Sequence, residues 1–348
     1  MVRKATLGAT VLALAMLFVG STAHRDAGAA AKPASGPVDT VMGLYEGMLK
    51  PAKGEPVKIE ADVIGEGNRA YRAVVRTKGD EWKVLLEMKG RLPNRFLSLL
   101  GWKKLHLTGK ANGVEWTGTL CKGKLLAKGK GGSLEAQRIG PHSPSEAAKP
   151  PSGAIILLSY EPGKPTSLDE WTNKNWKILP DGSVEVVKGS SLSRRQFGDI
   201  QLHVEFKLPY MPTQRGQGRA NSGVYLQNQY EVQVLDSFGL PPKNNECAGL
   251  YTIATPKANA CYPPLCWQTY DITFHAPRFK SDGTVEKVAS ITAVQNGVTV
   301  HDNVDLPRDT EHRKGFKPVK VGPIELQDHG NPIRYRNIWV VELKGEGK

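Results

Sequence analysis

Asn221-Ser-Gly-Val-Tyr-Leu-Gln-Asn-Gln-Tyr-Glu-Val-Gln-Val-Leu-Asp236 alternates apolar and polar residues at the period of a β-strand. On the segment from Tyr230 to Val234, the side chains of Tyr230, Val232 and Val234 point one way and those of Glu231 and Gln233 the other. Ile324-Glu-Leu-Gln-Asp-His329 repeats the pattern, with Ile324 and Leu326 on one face and Glu325, Gln327 and His329 on the opposite one. Same-face neighbours on a strand lie roughly 6.5–7 Å apart. Rows of this kind can line a groove with carboxylate, amide and imidazole groups, which suits sugar recognition and acid–base chemistry. The same alternation also fits a solvated outer sheet face.

Working outward, short strands recur at Ser183–Lys188, Ile200–Leu208, Gly223–Leu226, Tyr230–Leu235, Gly249–Ile253, Thr269–His275, Ser290–Gln295, Val298–His301, Pro323–Gln327 and Ile338–Leu343. Asn296-Gly297 between two of them predicts a hairpin with a type I′ turn. No convincing amphipathic helix interrupts the series, so the region from Ala154 to Leu343 is expected to be all-β, a sandwich or jelly roll. His203 and Glu205 fall opposite Leu202, Val204 and Phe206 and read as a solvated face.

Residues 38–139 carry further alternating runs, among them Val57-Lys-Ile-Glu-Ala-Asp-Val63 and Tyr71-Arg-Ala-Val-Val75, with Asn112-Gly113 as a hairpin signal. This predicts a small, basic, β-rich domain with no constellation of catalytic type, in which Phe96-Leu-Ser-Leu-Leu-Gly-Trp102 is an apolar core or cover. Residues 140–153 hold four prolines among small polar residues and read as a linker with nothing to bury. The N-terminus has the form of an export signal over residues 1–30. Arg3 and Lys4 precede an apolar run from Ala5 to Gly20, and small residues follow. Export to the periplasm or beyond is the expectation.

The formal charge of +13 is concentrated in the first half, on lysines spread along glycine-punctuated segments. No basic helix, zinc-finger spacing or aromatic-basic signature accompanies them, so nucleic acid is not an expected partner. Contact with anionic envelope polymers fits better. Four cysteines suit an oxidising compartment. A Cys247–Cys261 disulfide would close a loop of roughly fifteen residues, worth about 3 kcal/mol in the chain-entropy account, leaving Cys121 and Cys266 unpaired or bonded to each other. The absence of a phosphate loop, an H-E-x-x-H zinc helix and a G-x-S-x-G elbow argues against dinucleotide and serine-hydrolase chemistry.

Several motifs together resemble the 3-keto-disaccharide hydrolase family, whose members are also described as 3-keto-glucoside lyases and 3-keto-2-hydroxyglucal hydratases. They are Phe197-Gly-Asp-Ile200, Asn221-Ser-Gly-Val-Tyr225, Tyr230-Glu-Val-Gln-Val-Leu-Asp236, Cys247-Ala-Gly-Leu-Tyr251, Pro263-Pro-Leu-Cys-Trp-Gln-Thr-Tyr270, Gly322-Pro-Ile-Glu-Leu-Gln-Asp-His-Gly330 and Arg336-Asn-Ile-Trp-Val340. The resemblance implies a concanavalin-like jelly roll and a 3-keto-glycoside substrate.

A ketone at sugar C3 acidifies the hydrogen at C2, so a base can remove it while the leaving group departs from C1. Hydration then completes net hydrolysis. Such a site needs a base, an enolate stabiliser and an acid near the glycosidic oxygen. Glu231 is expected as base or metal ligand, and His329 as acid or second base. Asp236 is the third ionisable candidate. A divalent metal on Glu231, Asp236 and His329 can serve as Lewis acid. Asn221, Tyr225, Gln233, Gln327, Arg336 and Trp267 are the expected sugar contacts. Two alternatives stay open for these residues. Glu231 can pair with Arg336, or Arg336 with Asp328, as structural ion pairs. The rival function is a non-catalytic, lectin-like carbohydrate-binding module on the same fold.

Overall fold

The computed structural model describes residues 39–79, 82–93, 104–311 and 315–344. The expected export signal and the Phe96–Trp102 cluster lie outside these residues.

Eight antiparallel strands close into an up-and-down barrel: β1 (Gly43–Pro51), β2 (Val57–Gly67), β3 (Ala70–Thr77), β4 (Val84–Arg91), β5 (Leu105–Ala111), β6 (Val114–Cys121), β7 (Lys124–Gly129) and β8 (Gly132–Arg138). Closure pairs β1 with β8 and leaves no free sheet edge. Period-two alternation sends Tyr45, Ile59, Met88, Leu107, Trp116 and Leu134 inward, where they are buried. The intervening polar residues, lysines prominent among them, face out. Burying each large apolar side chain contributes about 1.5–3 kcal/mol relative to exposure.

The second module is a two-sheet sandwich. Its larger sheet has the order β10 (Lys177–Ile178), β11 (Val184–Glu185), β22 (Arg334–Glu342), β13 (Ile200–Lys207), β16 (Trp267–His275), β19 (Ala289–Gln295) and β20 (Val298–Leu306), and β9 (Ile155–Leu158) also pairs with β22. The smaller sheet has the order β12 (Ser191–Phe197), β21 (Gly322–Leu326), β14 (Ser222–Leu226), β15 (Tyr230–Val234). A separate hairpin joins β17 (Arg278–Phe279) and β18 (Val285–Lys287). Apolar residues of the two inner faces, including Val204, Phe206, Val224, Val232, Ile272 and Ile324, share one core.

Asn296 and Gly297 both have positive φ, as a type I′ turn requires. Two expectations differ from the structure. Strand β12 has no counterpart in the alternation reading, because Ser191-Leu-Ser-Arg-Arg-Gln-Phe197 breaks the period and its pairing with β21 shifts register between Leu192 and Gln196. Residues 249–253 form turns with an isolated bridge at Leu250 rather than a strand.

The linker also departs from expectation. Although its composition offers nothing apolar to bury, it lies across the outer face of the larger sheet. Ser143 is fully buried, 2.6 Å from Thr269 Oγ1. The Ala147 amide donates to Glu205 Oε1 at 2.6 Å. His203 and Glu205 are therefore buried rather than solvated, because a segment distant in sequence covers their face.

Candidate functional site

The polar face of the smaller sheet carries the row seen in the sequence. Pairing places Glu325 opposite Tyr225 and Tyr225 opposite Glu231, so three chemically capable residues cross three strands side by side. Cross-strand neighbours of this kind stand about 4.5–5.5 Å apart at Cβ. The adjacent row has Gly223 opposite Gln233, and the Gln327 amide donates to Gly223 O at 2.9 Å. Gly223 forms the floor between them. A Cβ there would overlap the Glu231 carboxylate and stand 2.8 Å from Tyr225 Cε2, so both side chains occupy the space that a larger residue would take.

Tyr225 is the hub of the hydrogen bonding. Its hydroxyl donates to Glu311 Oε1 at 2.6 Å and accepts from Gln327 Nε2 at 3.0 Å. Burial, then the charges of Glu231 and Glu311, hold this phenol protonated far above its usual range. The Glu231 backbone is fixed by its amide, which donates to Thr310 Oγ1 at 3.0 Å. Glu311 is a site residue that sequence reasoning missed. It follows β20 in a loop, where no strand period marks it.

An amide cluster extends the row. Gln217 lies in a short 3₁₀ turn, Gly216–Gly218. Its Oε1 accepts from Asn221 Nδ2 at 3.1 Å and from Gln233 Nε2 at 3.3 Å. Among the described residues, the side-chain oxygens of Asn221, Gln233 and Gln327 are buried without a hydrogen-bond donor. Each such acceptor costs about 1–3 kcal/mol when left unmet.

Other candidates stand elsewhere. Asp236 is buried, its Oδ2 accepting from Arg219 Nε at 2.6 Å and its Oδ1 from the Phe238 amide at 3.3 Å. Burial raises its pKa against the opposing pull of Arg219. Asp236 thus fixes the loop after β15. His329 is exposed in a bend beyond β21, next to Asp328, which is bound by the Gly189 and Gly330 amides. No contact among the described residues joins His329 to Glu231. Among the described residues no three His, Cys, Asp or Glu side chains are grouped as metal ligands. With Asp236 committed to Arg219, the set Glu231, Asp236 and His329 does not fit a metal.

Arg336 and Trp267 are corrected most clearly. Arg336 lies on the outer face of the larger sheet, where Nε donates to Glu205 Oε2 at 2.6 Å and a second nitrogen to Glu146 Oε1 at 2.9 Å. Its guanidinium stacks 4.0 Å from the Trp267 ring centroid and 4.1 Å from that of Tyr160. The pair clamps the linker and faces away from the Glu231 row, and Arg336 pairs with neither Glu231 nor Asp328. Cys247 and Cys261 are free buried thiols in contact with each other. A further open concavity of about 780 Å³ lies on the barrel's outer face, lined by residues including Lys50, Thr117, Lys128 and Glu135. Among the described residues that line it there is no Trp, Tyr or Phe for sugar stacking.

A family model described as 3-keto-alpha-glucoside-1,2-lyase-like domain matches residues 159–341. A crystal structure from Parabacteroides distasonis ATCC 8503, named "putative glycosyl hydrolase", is 37% identical with a TM-score of 0.51. That match covers 56% of this chain and 85% of the other. A second structure of the same name and organism is 21% identical with a TM-score of 0.37, over 51% of this chain and 95% of the other. Among curated proteins, none matches the chain. The matched span holds the Glu231 row and takes in more than half of the sequence, and by it the chain belongs to the 3-keto-alpha-glucoside-1,2-lyase-like domain family.

Proposed function

We propose that this protein is an exported carbohydrate-active enzyme that cleaves 3-keto-glycosides by elimination and hydration. Family membership and the name of the 37% identical structure support the carbohydrate-active class. The signal-like N-terminus supports export. The observation that carries the chemistry is the Glu325–Tyr225–Glu231 row, with Gln327 donating to the Tyr225 hydroxyl.

Glu231 is the base for the proton at C2. As that proton leaves, the C1–O bond breaks, a C1–C2 double bond forms, and the product is an unsaturated 3-ketone. Water then adds at C1 and a proton returns to C2. Tyr225, held protonated, turns its single O–H from Glu311 Oε1 to the oxygen on which enolate charge develops when substrate binds. The buried amide oxygens accept from sugar hydroxyls. His329, exposed beyond the end of β21, is the candidate acid for the departing oxygen.

The test is release of a chromogenic leaving group from a 3-keto-glucoside, beside the unoxidised glucoside, with and without chelator. Release from the keto substrate alone, lost in Glu231→Gln, supports the elimination. Retained turnover in Glu231→Gln rejects its role as base. Saturable binding without release supports the lectin-like alternative.

A further inference from the structure

The barrel meets the sandwich at two loops that lead straight to the polar row. Tyr210, in the loop between β13 and β14, donates its hydroxyl to Asp39 Oδ2 at 2.9 Å. Tyr71 of the barrel donates to the same oxygen at 3.0 Å. Arg215 donates to the Glu66 carbonyl at 3.0 Å. The approach is close enough that a Cβ on Gly65 would overlap the Tyr210 hydroxyl. The second loop, after β15, packs Phe238 against Ile64 and Val74 of the barrel in a small apolar cluster.

Both loops continue into the site. Two residues past Arg215, Gln217 holds Asn221 and Gln233 by their amide nitrogens and so turns their carbonyl oxygens free. The Arg219–Asp236 ion pair at 2.6 Å ties the two loops together behind that cluster. We propose that the barrel is a positioning element for the sugar site: it clamps the Tyr210–Arg215 loop, and Gln217 orients Asn221 and Gln233 to accept ligand hydroxyls. This rests on reading the row as a sugar site. Gln217 is a positioning residue and makes no step of the chemistry. The arrangement assigns a role to the N-terminal module.

The experiment compares full-length wild type with Tyr210→Phe, Arg215→Met and Gln217→Met. Each is scored for kcat and KM on a chromogenic 3-keto-glucoside, affinity for the parent glucoside, and Tm. The expected result is a KM or Kd raised about three- to tenfold in each variant, the scale on which one lost intramolecular hydrogen bond loosens a positioned group, with kcat little changed. Tm should stay close to wild type for Arg215→Met and Gln217→Met, whose side chains are not in the core. Unchanged KM and Kd in all three variants, or losses that merely follow Tm, overturn the proposal. If wild type binds the glucoside but releases nothing from the keto substrate, the elimination reading fails, and affinity alone still decides the positioning role. Wild type that neither binds nor turns over a glycoside overturns both.

Discussion

His203 Nδ1 lies 2.6 Å from Asp271 Oδ1, on a ring stacked 5.0 Å from that of Trp339 and buried beneath the linker. Its Nε2 is 3.4 Å from Glu205 Oε1. Burial alone would lower the pKa of this imidazole, but its hydrogen bonds and charge interactions with Asp271 and Glu205 outweigh burial and raise it.

A group with a raised folded-state pKa contributes stability fully below its unfolded value, about 6.5 for histidine, and loses it as pH rises through the folded value. Wild type is therefore expected to lose Tm more steeply than His203→Gln as pH rises above about 6.5. Thermal melts across that range check this, and parallel curves for the two proteins would sink it. On the acid side Glu205 acts in the opposite sense. Burial works against its ionisation, yet its bonds to His203, Asn337 and Arg336 lower its pKa, so its contribution fades as pH falls through the folded value.

Arg336→Ala removes the shared partner of Glu205 and Glu146 and leaves the buried Glu205 Oε2 without its guanidinium donor. The expected cost is about 3–5 kcal/mol in chemical denaturation. Glucoside affinity of the folded fraction should be unchanged, since Arg336 faces away from the Glu231 row. A Kd that worsens in step with the substitution would return Arg336 to the sugar site.

Gly223→Ala places a methyl group where the Glu231 carboxylate and the Tyr225 ring now lie. Both must shift to admit it. Activity on the keto substrate is expected to fall by about 10²-fold or more, the scale of a misplaced base. Tyr225→Phe keeps the ring and removes the hydroxyl. It should lower kcat more than it raises KM, and equal activity in Tyr225→Phe and wild type would remove the phenol from the mechanism.

Cys247 and Cys261 touch each other in the core beside the Tyr270 hydroxyl, which lies 3.3 Å from Cys247 Sγ. Oxidation to a disulfide is expected to raise stability by about 3 kcal/mol, and reductant should lower the Tm of protein purified from an oxidising compartment. Intact mass before and after reduction, read with Cys247→Ser as control, checks the pairing.

Much of the fold was legible because strand alternation has a period of two whatever the tertiary context. Val224, Val232 and Ile324 are core residues for that reason, and Glu231 and Gln233 share a face as the sequence requires. Strand β12 escaped because an irregular pairing erased its alternation. Glu311 escaped because a loop residue carries no period, and only the chain's return over β14 brings its carboxylate to Tyr225.

The sequence by itself determined that the chain is all-β, which side chains oppose one another on each strand, and the family to which its motifs are similar. Only the tertiary structure decided what covers each outer face. His203 and Glu205 on β13 show the same alternation as Glu231 and Gln233 on β15, yet the linker buries the first pair in an ion-pair network with Arg336. The second pair lies beside Tyr225, Gln217 and unmet amide acceptors. The physical reason is that alternation is fixed by local backbone geometry. The dielectric and partners of an outward-facing charge are set by segments distant in sequence, which local pattern cannot reveal.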